Sequence, residues 1–105
     1  MQNISLHLED ERGNVIERTN INFANIILVL ESIEAYTKKY PWLSSIDPYG
    51  YTVFNTRQAP KLIGELKKLK EDIQRQDVLL DDVVDNTISF LIKVAQHSYA
   101  RFIGD

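Results

Sequence analysis

VVDNTISFLIKVAQHSYARF, residues 83–102, is the stretch on which the architecture turns. Val84, Ile88, Leu91, Ala95, Tyr99 and Phe102 recur at spacings of three and four, the period of one face of an α-helix. Val83, Phe90 and Val94 widen that face. A stripe so broad predicts contact with two other helices, or with a second subunit. Arg101 would then stand in the last turn, where a cation complements the helix dipole, and Gly104 would be the C-cap.

Two further helices precede it. Leu62, Ile63, Leu66, Leu69 and Ile73 form one stripe, Pro60 suits its first turn, and Lys61, Lys67, Lys68 and Lys70 lie mostly on the wet side. Gly64 inside it costs roughly 1 kcal/mol against alanine, which predicts close packing against a neighbouring helix. Phe23, Ile26, Ile27, Leu30 and Ile33 form the other stripe, continued less regularly to Tyr40. Asn20 or Asn22 would cap it, Lys38 and Lys39 would sit near its end, and Pro41 stops it. Before them the period is two. Ile4, Leu6 and Leu8 face away from Ser5, His7 and Glu9, and Asp10-Glu11-Arg12-Gly13-Asn14 reads as a turn in which Gly13 and Asn14 tolerate positive φ. Val15 to Thr19 resumes the extended pattern. The expected fold is α+β: one domain, residues 1–105, with an N-terminal β-hairpin packed on three amphipathic helices.

Composition narrows the chemistry. The chain has 105 residues, 44% of them hydrophobic and 26% charged, which is the make-up of a globular protein with one core. The net charge of -3 argues against nucleic acid as a partner, since that role needs a concentrated positive field. There is no cysteine, hence no disulfide, thiol nucleophile or thiolate metal site. MQNISLHLED has neither the basic region nor the apolar core of a signal peptide, and the run Ile26–Leu30 is too short to cross a bilayer. A cytoplasmic location without membrane contact is the expectation. His7 and His97 show no metal-ligand spacing, Ser5 and Ser89 lack the glycines of a nucleophile elbow, and no phosphate-binding glycine motif occurs. No catalytic residue, metal ligand or cofactor is expected.

Two features remain. Asp77, Asp81 and Asp85, with Asp82 beside them, are spaced to line one helical face. Such a row grips a basic partner or a hard cation, although acids near a helix start are also favoured by the dipole alone. The other is IDPYGYTVFN, residues 46–55. Asp47, Pro48 and Gly50 fit the first, second and fourth positions of a type I turn, and Tyr51–Phe54 then reads as a strand. Turn chemistry does not explain the rings: Tyr40, Trp42, Tyr49, Tyr51 and Phe54 are half of the chain's aromatic residues. Trp42 and Phe54 are expected to close the core, whereas Tyr49 and Tyr51 are the surface candidates, since aromatic residues on a polar loop are enriched at binding hot spots.

IDPYGYTVFN, the helix RQAPKLIGELKKL and the ending HSYARFIGD resemble a family of small bacterial proteins. That family has an Asp-Pro-Tyr-Gly turn running into Thr-Val-Phe-Asn and a Phe-Ile-Gly-Asp terminus. The resemblance is weak before Asn22, and Tyr51 stands where an acidic residue is commoner, which puts a charge-based role there in doubt. The family carries no assigned activity, so no catalytic residue transfers; the resemblance implies only that the turn and the C-terminus form one structural unit.

The functional expectation is a non-catalytic domain that binds another protein, of the immunity-like or antitoxin-like inhibitor kind. Tyr49 and Tyr51 would be its anchors, and Asp77, Asp81 and Asp85 would face a basic toxin. The alternatives are a homodimer built on the broad C-terminal helix and, further off, a metal-dependent enzyme using the aspartates.

Overall fold

Ile4, Leu6 and Leu8 are buried while Ser5 and His7 between them are half-exposed, so the first segment is a strand with one dry face. In the computed structural model, which describes residues 4–73, 78–95 and 97–104, this strand is β1 (Ile4–Asp10). It pairs antiparallel with β2 (Val15–Ile21). Gly13 takes φ 84°, and the Asp10 carboxylate accepts the N–H groups of Arg12 and Asn14, both at 2.9 Å, so the hairpin turn forms as its residues suggest. The register slips between Leu8 and Glu9, a β-bulge that leaves Ile16 without an opposite number.

The expected first helix is divided. α1 (Phe23–Glu31) ends where the Ser32 hydroxyl donates to the Val29 carbonyl at 2.6 Å, and Ala35 at φ 59° breaks the backbone path. Two single-turn helices follow, α2 (Tyr36–Lys39) and α3 (Pro41–Ser44). β3 (Tyr51–Phe54) comes next, as its alternation predicts. The Asn55 side chain then accepts the N–H groups of Arg57 and Gln58 at 2.9 and 3.0 Å and opens the way into α4 (Ala59–Ile73), with Pro60 in its first turn. Gly64 does not mark a close helix contact: nothing lies within 4 Å of where its Cβ would stand.

The C-terminal helix is shorter than its stripe suggests. α5 (Val78–Leu91) stops near Leu91, His97 adopts φ 67°, and Ser98–Ile103 is a strand, β4. Within SYARFI the burial alternates, with Ser98, Ala100 and Phe102 inside and Tyr99, Arg101 and Ile103 outside. Tyr99 and Phe102 fit a helical stripe and an alternating strand equally well, and the tertiary pairing decides between them. The Ser98 hydroxyl accepts from the Ala95 N–H at 2.8 Å and donates to the Ala95 carbonyl at 2.9 Å, holding the corner. Arg101 and Gly104 are therefore not helix-end residues. Of the broad apolar face, Val84, Phe90, Leu91 and Phe102 belong to the core, and Val83, Ile88 and Val94 are partly buried against it.

β4 lies between β1 and β3, giving one antiparallel sheet of order β2-β1-β4-β3. The helices cover one face. Phe102 on β4 packs against Phe23 of α1 and edge-on to Phe54 of β3, at centroid distances of 5.4 and 5.6 Å. Burying a ring of that size contributes about 2–3 kcal/mol. Around this cluster lie Ile26, Leu30, Leu62, Leu66 and Leu69, so the core is a sheet-on-helix layer. The N-terminal hairpin and the α+β class stand as expected, with a second pair of strands added to the hairpin.

The turn and the C-terminus do form one unit. The Gly104 N–H donates to the Gly50 carbonyl at 2.8 Å, and Tyr51 is registered opposite Ile103.

Candidate functional site

Among the described residues, no helix or strand lies on the face of the sheet turned away from the helices. Strand register arranges its side chains in cross-strand rows. One row runs Asn20–Ser5–Ile103–Tyr51, from β2 to β3. The next runs Arg18–His7–Arg101–Val53. In a third, Glu9 is opposite Tyr99. In this setting Tyr51 and Val53 are exposed large apolar side chains, at 69% and 44% of their full accessibility, on a four-residue edge strand.

Glu9 anchors the centre. Its side chain retains 9% of its accessibility, its Oε2 lies 3.1 Å from the Arg101 Nε, and His7 Nδ1 is 3.6 Å from the same oxygen. The Arg101 Nε is out of line for a directed hydrogen bond, so the pair is a contact of charges. The Arg101 guanidinium also sits 5.6 Å from the centre of the Tyr51 ring, a cation–π distance. Arginine thus ties the buried carboxylate of β1 to the exposed ring of β3. Glu9, Arg12, Val53, Tyr99 and Arg101 line a shallow depression of about 410 Å³ beside this pair.

Tyr49 joins the surface from the preceding turn. Its N–H donates to the Asp47 carboxylate at 2.8 Å, the Gly50 N–H reaches the Asp47 carbonyl at 3.5 Å, and the Asp47 N–H donates to the Thr52 hydroxyl at 2.9 Å. A Cβ on Gly50 would come within 2.6 Å of an Asp47 carboxylate oxygen. Asp47 and Gly50 are thereby explained by the turn, which holds the Tyr49 ring out in solvent at 73% accessibility. Trp42 and Phe54 pack on and in the core, as expected of them.

The aspartates are elsewhere. Asp77 lies outside the described residues. Asp81 and Asp85 are on α5, which belongs to the helix layer and touches β2, the edge opposite β3. Asp85 pairs with Lys70 of α4 at 2.8 Å, and the carboxylate raises the lysine pKa above its ordinary value. The two tyrosines and the α5 aspartates therefore do not share a surface. The histidines are separate too: His97 Nδ1 is 3.1 Å from Glu11, away from the His7–Glu9 contact. Among the described residues no three His, Asp or Glu side chains group as metal ligands, and no helix is long and apolar enough to cross a membrane.

A helical reading of residues 98–103 conceals Arg101 and Tyr99 as residues of the sheet surface. Their signal is the alternation Ser98-Tyr99-Ala100-Arg101-Phe102, which puts small or apolar residues at every second place. In comparisons with protein-family models, with curated proteins and with solved structures, no match to this chain was found.

Proposed function

We propose that the protein is a non-catalytic binding domain that docks another protein on the bare face of its sheet, with Tyr49 and Tyr51 as anchors. The observation that carries this reading is the pair of solvent-held rings, at 73% and 69% accessibility, at one margin of an uncovered sheet. Large rings lose little conformational freedom on binding and bury much apolar area, which is why tyrosine is enriched at interface hot spots. Neither ring supports the fold: Tyr49 points away from a turn made by its neighbours, and Tyr51 rests on Arg101.

The charges near the rings bear on the partner. Arg18 and Arg101 lie in one cross-strand row, while Glu9, Asp10 and Glu11 line the depression beside Arg101 together with Arg12, so the sheet face presents charges of both signs. An immunity-like or antitoxin-like inhibitor remains one kind of domain that fits. On α5 the Asp85 carboxylate is already engaged by Lys70.

Affinity capture from the native host, with titration of the captured partner, tests the reading. Tyr49→Ala/Tyr51→Ala should weaken binding by about 2 kcal/mol or more, the scale of a hot spot. An unchanged dissociation constant in a folded double variant overturns it.

A further inference from the structure

β2 is an edge strand. It is hydrogen-bonded to β1 on one side, and no described backbone hydrogen bond uses its other side. Unpaired N–H and C=O groups along an edge are strong, obligatory hydrogen-bonding groups, and the ligand that satisfies them in register is another extended backbone. The other edge, β3, has four residues, whereas β2 has seven, of which Glu17–Ile21 lie beyond the bulge.

A slot runs along this edge. It holds about 230 Å³ and is walled by Thr19, Asn20 and Ile21 on β2 and by Asn86, Ser89 and Phe90 on α5. Thr19 and Ile21 point to the helix side of the sheet and Asn20 to the other side, so a space touching all three follows the backbone edge itself. At one end the Lys93 ammonium bridges to Glu17 at 2.7 Å, neutralising both charges. On the opposite face Arg18 is exposed and has no ion-pair partner among the described residues.

We propose that this slot accepts an extended segment of a partner protein, which adds to the sheet as a fifth strand beside β2. Main-chain hydrogen bonds supply the docking, as in other cases of strand addition, and alternate side chains supply the selection. Side chains turned toward α5 meet the hydroxyl and amide groups of Thr19, Asn86 and Ser89 in a slot without net charge, so small polar residues fit there. The side chain opposite Arg18 on the outer face is acidic, because a cross-strand carboxylate completes the one unpaired charge on the strand. A second folded copy is disfavoured as the occupant: α5 lies over this edge, where a second helix layer would meet it.

Selection of random heptapeptides by display against the full chain, followed by amide hydrogen exchange of the complex, tests this. The expected result is peptides with an acidic residue between small polar ones, slowing exchange in β2 from Glu17 to Ile21. Arg18→Glu should weaken them by about fivefold. Ser89→Tyr, which fills the slot from an exposed position on α5, should abolish binding, and Tyr49→Ala/Tyr51→Ala should leave it unchanged. That last arm separates this site from the sheet-face reading. Failure to select any peptide, protection of β3 or the outer face instead, or a concentration-dependent dimer that protects β2 overturns the proposal.

Discussion

A Cβ placed on Gly104 would stand 2.0 Å from the carbonyl oxygen of Pro48, so the last described residue is pressed against the turn that begins β3. Only glycine allows that approach, and the Gly104 N–H uses it to reach the Gly50 carbonyl. Gly104→Ala must push the chain end and the turn apart. The expected loss is about 1–3 kcal/mol of unfolding free energy, measured by urea denaturation. A variant as stable as the parent would show that the turn and the C-terminus are not joined.

Tyr40 is fully buried and its hydroxyl donates to the Asp72 carboxylate, linking the short helices to α4. Tyr40→Phe should cost about 1.5–3 kcal/mol at neutral pH, the scale of a hydrogen bond to a charged group. Burial first, then the Asp72 hydrogen bond and the nearby carboxylate charges, raise the Tyr40 pKa above its ordinary 10.0. A raised folded-state pKa means that the stabilisation is complete below the unfolded value and is lost as pH climbs past it. The stability gap between parent and Tyr40→Phe should therefore be constant at neutral pH and shrink above about pH 10. Denaturation at a series of alkaline pH values checks this.

Glu65 acts as a cap supplied from a distance. Its two carboxylate oxygens accept the N–H groups of Trp42 and Leu43, at 3.1 and 2.9 Å, at the start of α3. That leaves α3 without need of a cap from its own preceding residue, since Tyr40 provides none. Glu65→Ala should cost about 1–2 kcal/mol, and Glu65→Gln less, because the amide oxygen still accepts one bond. Thermal melts of the two variants measure the difference.

Arg101→Met leaves the Glu9 carboxylate buried with only His7 beside it. The expected cost is about 1–2 kcal/mol, set below the figure for a fully buried pair because Arg101 is 35% exposed. Glu9→Gln/Arg101→Met should recover part of that loss, since no uncompensated charge then remains. A double-mutant cycle by chemical denaturation decides the sign of the coupling.

Tyr49→Ala and Tyr51→Ala should change stability by no more than about 0.5 kcal/mol, as substitutions at exposed positions away from caps and core do. Circular dichroism melts establish this before any binding comparison. A large destabilisation would mean that the rings hold the turn, leaving no reason to assign them to a partner.

Much of this was legible in the residues alone. The period of two in Ile4, Leu6 and Leu8, the positive-φ glycine at residue 13 and the Asp47–Gly50 turn are local features, decided by neighbours a few positions away, and they fold as they read. The exposure of Tyr49 and Tyr51 followed from what the turn left unexplained. The identity of β4 was not local. SYARFI satisfies two periods at once, and what selects the strand is pairing with β1, which brings Ser5 opposite Ile103. That contact spans nearly the whole chain, and no window of sequence contains it. The same pairing creates the bare sheet face, places Arg101 beneath Tyr51, and sets the α5 aspartates in a different layer from the tyrosines. Residue types and short-range periods determined the class of the fold and its turns. The tertiary structure decided which candidates share a surface, because only packing across the sheet brings distant residues into register.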